Sequence, residues 1–209
     1  MYKVKFLNGT TRKFKTLKGA DLEEANLNGA ILKGDNLKKA NLSGADLAVA
    51  NLKKANLELA YLKGADLSDA ELEKANLKDT NLRDAYLEGA ILKNADLRGA
   101  NLRYADLRYA DLRYANLKDA IIKGAYLKGA YLDGANLFNT NILSFQLGKH
   151  FAFYHEGYLQ IGRQGYSLEY WIDNVNEISK DNNYTEAEIR RYTIFINSLK
   201  LIEEGRNHV

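Results

Sequence analysis

The sequence predicts an all-β solenoid, in which the chain turns a corner every five residues and four corners close one coil. Three observations predict it. Leucine recurs at every fifth residue from Leu17 to Leu137, with Ile122 the one substitution, and Ile142 and Leu147 extend the run. Two residues before each of these positions from Leu22 to Leu137 stands alanine, from Ala20 to Ala135, with only Asp35 and Thr80 departing. Asp or Asn most often lies between the two, so the unit reads A-(D/N)-L-x-x, and its register never slips. A period of five fits neither the 3.6 of a helix nor the 2.0 of a strand. It fits a repeat that places the same two side chains inside at every corner. Four pentads make a square coil of about 20 residues, and successive coils stack as parallel β-ladders about 4.8 Å apart. From Leu17 to Leu147 the chain has 27 pentads, enough for nearly seven coils and a rod of about 32 Å at that spacing.

Each segment has a reason. Residues 1–16 form an N-terminal β-cap: Tyr2, Val4 and Phe6 alternate with Lys3 and Lys5, Asn8-Gly9 is a hairpin turn signal, and Arg12–Lys15 is the return strand. Lysine suits an edge strand, where it discourages end-to-end pairing. Residues 17–147 form the β-helix. Its Leu column fills the axis, and alanine sits where the corner leaves little room. Glycine recurs at the second outward position, as at Gly124, Gly129 and Gly134, where the corner calls for positive φ. No proline occurs, consistent with ladders that need every N–H. Residues 148–209 form a strand followed by a two-helix cap. Phe151 and Phe153 alternate, His155-Glu156-Gly157 turns, and Tyr158–Ile161 returns. Ser167 can cap a helix with Leu168, Trp171, Ile172, Val175 and Ile178 on one face. Thr185–Glu188 has the capping-box pattern ahead of a stripe of Ile189, Tyr192, Phe195, Ile196, Leu199 and Ile202. Asp181-Asn182-Asn183 is a short connection, so the helices should be antiparallel neighbours. Their apolar stripe needs burial across the open end of the rod, which is compatible with a two-fold homodimer through the same helices.

The run A-D-L-R-Y-A-D-L-R-Y-A-N-L at Ala105–Leu117 resembles the pentapeptide-repeat family. The resemblance covers about 130 residues, from Leu17 to Leu147. It implies a right-handed quadrilateral parallel β-helix whose outward faces bind macromolecules. One branch of that family mimics duplex DNA and inhibits or protects DNA gyrase and topoisomerase IV. The same branch dimerises, which is the source of the homodimer expectation.

Composition removes most chemistry. There is no cysteine, so disulfides, zinc thiolates and thiol nucleophiles are excluded. The three histidines are His150, His155 and His208. His150 and His155 lie five apart in an expected strand, and so on opposite faces, which argues against a metal site. A packed leucine axis leaves no pocket. No catalytic residue, metal or cofactor is expected. The N-terminus lacks the apolar segment of a signal peptide, and no run of about 18 apolar residues could span a membrane as a helix. A cytoplasmic, non-membrane protein is the expectation.

Function must therefore lie in the outward columns. The net charge is only +3, but it is uneven. Residues 17–92 carry 10 basic and 13 acidic side chains, and residues 93–128 carry 8 and 4. In that second stretch the first outward position is always basic, and Arg103, Arg108 and Arg113 are followed by Tyr104, Tyr109 and Tyr114. Because the units turn corners, this reads as a basic, aromatic collar with Arg98 and Lys128. Sorted by face, Asn36, Asn56, Asn76, Asp96, Asn116 and Asn136 form an unbroken Asx column, whereas Tyr61, Tyr86, Tyr126 and Tyr131 interrupt the others. Tyrosine and arginine anchor protein interfaces, so the expected function is non-catalytic protein binding, centred on the face of Tyr86, Arg108, Tyr109, Tyr126 and Lys128. Two alternatives stand beside it. One is gyrase-directed DNA mimicry, which the collar's positive charge opposes. The other is direct nucleic-acid binding through the collar, which a charge that wraps around the rod opposes.

Overall fold

A computed structural model describes residues 1–147 and 150–206, which fall into two compact units, Met1–Asn141 and Ile142–Val209. In the first unit, β1 (Tyr2–Phe6) and β2 (Thr11–Phe14) form the expected hairpin, with Tyr2 opposite Phe14 and Lys5 opposite Thr11. Asn8 Oδ1 accepts from the Thr10 N–H and hydroxyl across the turn. The other edge of β1 pairs with β3 (Ala25–Asn26), through Lys5 opposite Asn26 and Phe6 opposite Ala25. The hairpin is thus attached to the first coil, with Val4 and Phe6 buried.

From there every second pentad position makes one parallel bridge to the residue 20 positions later, without a gap from Asp21–Asn41 to Asn116–Asn136. The backbone bonds repeat with it. The Leu22 N–H donates to the Asn41 carbonyl at 2.7 Å, and the Asn41 N–H to the Ala20 carbonyl at 2.9 Å. At each corner the alanine N–H returns to the preceding leucine carbonyl, as from Ala25 to Leu22 at 3.0 Å. Four pentads therefore make one stacked coil. Each ladder rung is a single bridge because the chain bends before a longer strand can form. Leucine and alanine point inward as expected, and from Leu37 to Leu112 the leucines are fully buried.

The coil ends earlier than the leucine spacing suggests. The last bridge is at Asn136 and Leu137 is half-buried. Ile142 and Leu147 keep the five-residue spacing, but β4 (Leu143–Leu147) runs antiparallel to β5 (His150–His155), with Leu143 opposite Tyr154. The reason is local: Thr140 and Phe145 stand where the repeat has alanine, Gln146 replaces Asx before Leu147, and Leu143, Phe145 and Leu147 alternate with period two. The repeat boundary thus moves from Leu147 to Asn141.

The second unit is richer than a strand and two helices. A four-stranded antiparallel sheet runs in the order β4, β5, β6 (Tyr158–Ile161), β7 (Gln164–Ser167). Helices α1 (Leu168–Asp181) and α2 (Glu186–Arg206) follow. Both caps form as expected. Ser167 accepts from the Tyr170 N–H at 3.1 Å, Thr185 N–H donates to Glu188 at 2.8 Å, and Glu188 N–H donates to Thr185 Oγ1 at 3.3 Å.

The helical stripe is buried within this unit. Trp171, Val175, Tyr192, Ile196 and Leu199 pack with Tyr154, Leu159 and Ile161 of the sheet, and Ile172 and Phe195 are partly buried against them. Trp171 Nε1 donates to the Leu159 carbonyl at 2.8 Å. Ile189 is half-buried, and Ile202 is exposed. Residues expected to seek a rod end or a second copy are thus occupied by the sheet, which sequence reading missed. The exposed apolar residues of α2 are instead Ile194, Leu201 and Ile202.

Candidate binding faces

The second pentad position does structural work wherever it is Asx. Its side-chain oxygen accepts the backbone N–H two residues on, as from Ala48 to Asp46 at 3.1 Å, Lys53 to Asn51 at 3.2 Å and Lys78 to Asn76 at 3.1 Å. This is an Asx turn, and it gives these carboxylates and amides a structural role at every corner where they stand. Tyrosine and isoleucine cannot supply the bond. At Tyr61, Tyr86, Tyr126 and Tyr131 the chain gives it up and leaves the ring 46–61% exposed. Such rings are available surface.

The corner residues are equally uniform. The second outward position has φ between +54° and +75° at every pentad from Gly19 to Asn139, whatever the residue. Tyr104, Tyr109 and Tyr114 therefore hold left-handed backbone at +58° to +59°. Each ring lies over the glycine one coil on: a Cβ built on Gly124, Gly129 or Gly134 would stand 2.4–2.5 Å from the ring of Tyr104, Tyr109 or Tyr114. The three tyrosines half-cover those glycines and keep about half their surface exposed. They occupy three successive corners of one coil and do not converge.

The collar is less basic than its count. Arg98, Arg108 and Arg113 each clamp the aspartate two residues earlier, with Nη2 to Asp96, Asp106 and Asp111 at 2.6 Å. Hydrogen bonds from these guanidiniums hold all three carboxyls below the usual range, against the opposing effect of burial. Arg103 follows Asn101 and has no ion pair among the described residues.

One face brings the expected residues together. Tyr86 and Tyr126 bridge to Asp106 from the coils on either side. Between them Arg108 binds Asp106 and reaches Glu88 at 2.8 Å. Tyr109 stands at the adjoining corner, and Lys128 is exposed in the next coil. Tyr131 is on a neighbouring face, where Arg113 lies 5.8 Å from its ring centroid. On yet another face Lys63, Arg83, Arg103 and Lys123 stack at 20-residue intervals; the like-charged pair of Arg103 under Lys123 is legible in the sequence, and counting by 20 extends it to all four.

His150 and His155 share β5. His150 Nδ1 bonds the Tyr192 hydroxyl, and His155 is buried. His208 lies outside the described residues. Among those residues no group of histidine and carboxylate side chains could hold a metal, and no helix is long and apolar enough to cross a membrane.

Comparisons agree with the coil. Pentapeptide repeats match in eight copies over residues 16–48, 40–79, 80–119 and 110–142, more than half of the chain. Rfr23, a pentapeptide repeat protein from the cyanobacterium Cyanothece 51142, is 36% identical over 53% of this chain and 89% of its own, with a TM-score of 0.52. HetL, a pentapeptide repeat protein involved in heterocyst differentiation regulation in Nostoc sp. strain PCC 7120, is 38% identical over 59% of this chain, with a TM-score of 0.41, and the match spans 62% of its length. QnrB1, a plasmid-mediated fluoroquinolone resistance protein, is 23% identical over 55% of this chain and 66% of its own, with a TM-score of 0.32. No curated protein matches the sequence. With its repeat register, its bridges 20 residues apart and this match, the chain belongs to the pentapeptide-repeat family.

Proposed function

We propose that the chain is a non-catalytic scaffold that binds a protein partner through one face of a right-handed quadrilateral β-helix. The family supports the handedness, and the bridges 20 residues apart support the four-sided coil. The observation that carries the function is the pair Tyr86 and Tyr126, exposed on one face with the Asp106–Arg108–Glu88 network held between them. Each tyrosine displaces a residue type that would have tightened its own turn. Rigid aromatic rings beside a fixed guanidinium are the side chains that most often dominate protein interfaces. The ladder beneath them is fully paired, so the surface needs little ordering on binding, and preorganisation favours affinity.

The experiment is affinity capture of the tagged chain from a nuclease-treated bacterial lysate, with bound proteins identified by mass spectrometry. A specific protein retained after washing is the expected result. Material recovered only when nuclease is omitted would overturn the reading in favour of nucleic acid. Recovery of topoisomerase subunits, with loss of supercoiling in a purified gyrase assay, would support gyrase-directed mimicry instead.

A further inference from the structure

The face that carries Lys63, Arg83, Arg103 and Lys123 differs in charge from the other three. Two faces set a glutamate among their cations at the first outward position, as Lys38, Glu58, Lys78 and as Lys53, Glu73, Lys93. Where cations follow one another there, as Lys78, Arg98, Lys118 and as Lys93, Arg113, the arginine is paired with the aspartate two residues earlier. The ion pairs to the glutamates measure 2.9 Å for Lys38–Glu58 and 3.3 Å for Lys53–Glu73. On the third, Arg108 reaches Glu88 in the preceding coil. The fourth stacks four cations in succession. Their register is fixed by the backbone, because the N–H groups of Gly64, Asp84 and Tyr104 donate to the carbonyls of Arg83, Arg103 and Lys123 at 3.0–3.1 Å.

No carboxylate relieves them on the face itself, where the second positions are Tyr61, Asn81, Asn101 and Ile121. Asn81 and Asn101 turn their oxygens to the Arg83 and Arg103 N–H groups at 3.2 and 3.3 Å. What remains for an incoming group is their amide NH2, a donor. The nearby acids stand at the corners, each engaged: Asp84 on Arg83 at 3.2 Å, Asp79 on Lys78 at 3.9 Å, and Asp119 accepting from Asn139 at 2.8 Å. Like charges directly opposite one another destabilise a sheet, and on the neighbouring faces aspartates at the second position offset this, Asp96 on Arg98, Asp106 on Arg108 and Asp111 on Arg113. A donor-only ladder kept at that cost points to an anionic ligand.

We propose that this face binds an acidic α-helix of a partner protein, laid along the stacking direction. The cations recur about every 4.8 Å, the ladder spacing. A helix with carboxylates at i, i+4, i+7 and i+11 presents one about every 5.5 Å, a drift that flexible lysine and arginine side chains absorb over three steps. An extended strand presents same-side residues about every 6.7 Å and falls out of register. A nucleic-acid strand is charged at every nucleotide and would set phosphates against the corner aspartates, whereas a helix can turn a neutral flank to them. Tyr61 and Ile121 are exposed at the two ends of the same face and offer apolar contact to that flank. The inference rests on the reading of this chain as a protein-binding scaffold, but not on the Tyr86–Tyr126 face.

The test is fluorescence anisotropy of the full chain with three labelled probes. These are a helix-stabilised peptide with glutamates at i, i+4, i+7 and i+11, a peptide of the same composition with glutamates at alternate positions, and a single-stranded oligothymidylate. The helical peptide is expected to bind about tenfold or more tighter than either of the others, and more weakly as salt rises. Arg83→Glu/Arg103→Glu should reduce that affinity about tenfold or more. Arg103→Glu alone sets an acid between Arg83 and Lys123, so it should raise the thermal midpoint while weakening the peptide, which separates lost binding from lost folding. Arg108→Ala/Tyr109→Ala on the other face should leave the peptide affinity unchanged, so failure of one surface does not mimic failure of the other. Equal affinity for the two peptides, tighter binding of the oligothymidylate, no binding at all, or an Arg103→Glu chain that binds normally would overturn the proposal.

Discussion

At Val49 the coil imposes φ +58° on a β-branched side chain, a conformation that costs non-glycine residues about 1–2 kcal/mol. Glycine occupies the same position in many other pentads without that cost. Val49→Gly is therefore expected to stabilise the coil by about 1 kcal/mol, part of the gain being lost to the greater entropy of the unfolded chain. Chemical denaturation followed by far-ultraviolet circular dichroism measures it, and destabilisation would contradict the strain argument. Titration gives a second check. Asp106 accepts bonds from Arg108, which lowers its pKa in the folded state. Its contribution is complete above the unfolded carboxylate value near 4 and fades as pH falls through the lower folded value. The thermal midpoint should thus drop between roughly pH 5 and 2, and Asp106→Asn should flatten that drop. An unchanged pH profile would show that the clamp contributes nothing measurable. At this scale the inward Leu and Ala and the Asx turns were legible, because each has one dominant reason to be where it is. The ion pairs of Arg98, Arg108 and Arg113 were not, because a count of charges does not say which side chains meet.

Among the elements, the ones with strong local signals matched their expectation. Asn8-Gly9 marked the first hairpin, and the Thr185–Glu188 box marked the start of α2. Removing that box is a direct test. Thr185→Ala should cost about 1 kcal/mol of stability in the second unit, the usual value of an N-cap, read by fluorescence of Trp171, the one tryptophan. No change would mean that the Glu188 contact is incidental. The elements that escaped were β4 and β7. Leu143–Leu147 satisfied the five-residue spacing and the two-residue alternation at once, and the competing period won. Gln164–Ser167 carries Gly165 and little apolar pattern, so only its pairing with β6 makes it a strand. The stripe's cover is Tyr154, Leu159 and Ile161 of β5 and β6, with Leu143, Phe145 and Leu147 of β4 packed against the same cluster. Without the full sheet, Trp171 and Tyr192 were expected to need a rod end or a second copy for burial.

For the molecule as a whole, the coil converts a sequence period into a display. Every coil repeats the same backbone, so differences between faces lie only in outward side chains, and a departure from Asx or a run of cations without a carboxylate on its own face stands out. The fold was legible because five-residue periodicity admits few solutions. The binding face was legible only in part, since column membership depends on counting by 20 and exposure depends on packing that the sequence does not state. The central claim is that Tyr86 and Tyr126 are kept for binding at the expense of their own turns. The variant Tyr86→Asn/Tyr126→Asn restores the repeat residue, whose side chain can accept the Glu88 and Lys128 N–H groups. Each restored bond should add about 1 kcal/mol. The decisive measurement compares this variant with the natural chain for partner recovered by affinity capture, with the thermal midpoint recorded alongside. The account predicts a higher midpoint and loss of the captured partner. Undiminished capture by a stabilised variant would contradict it.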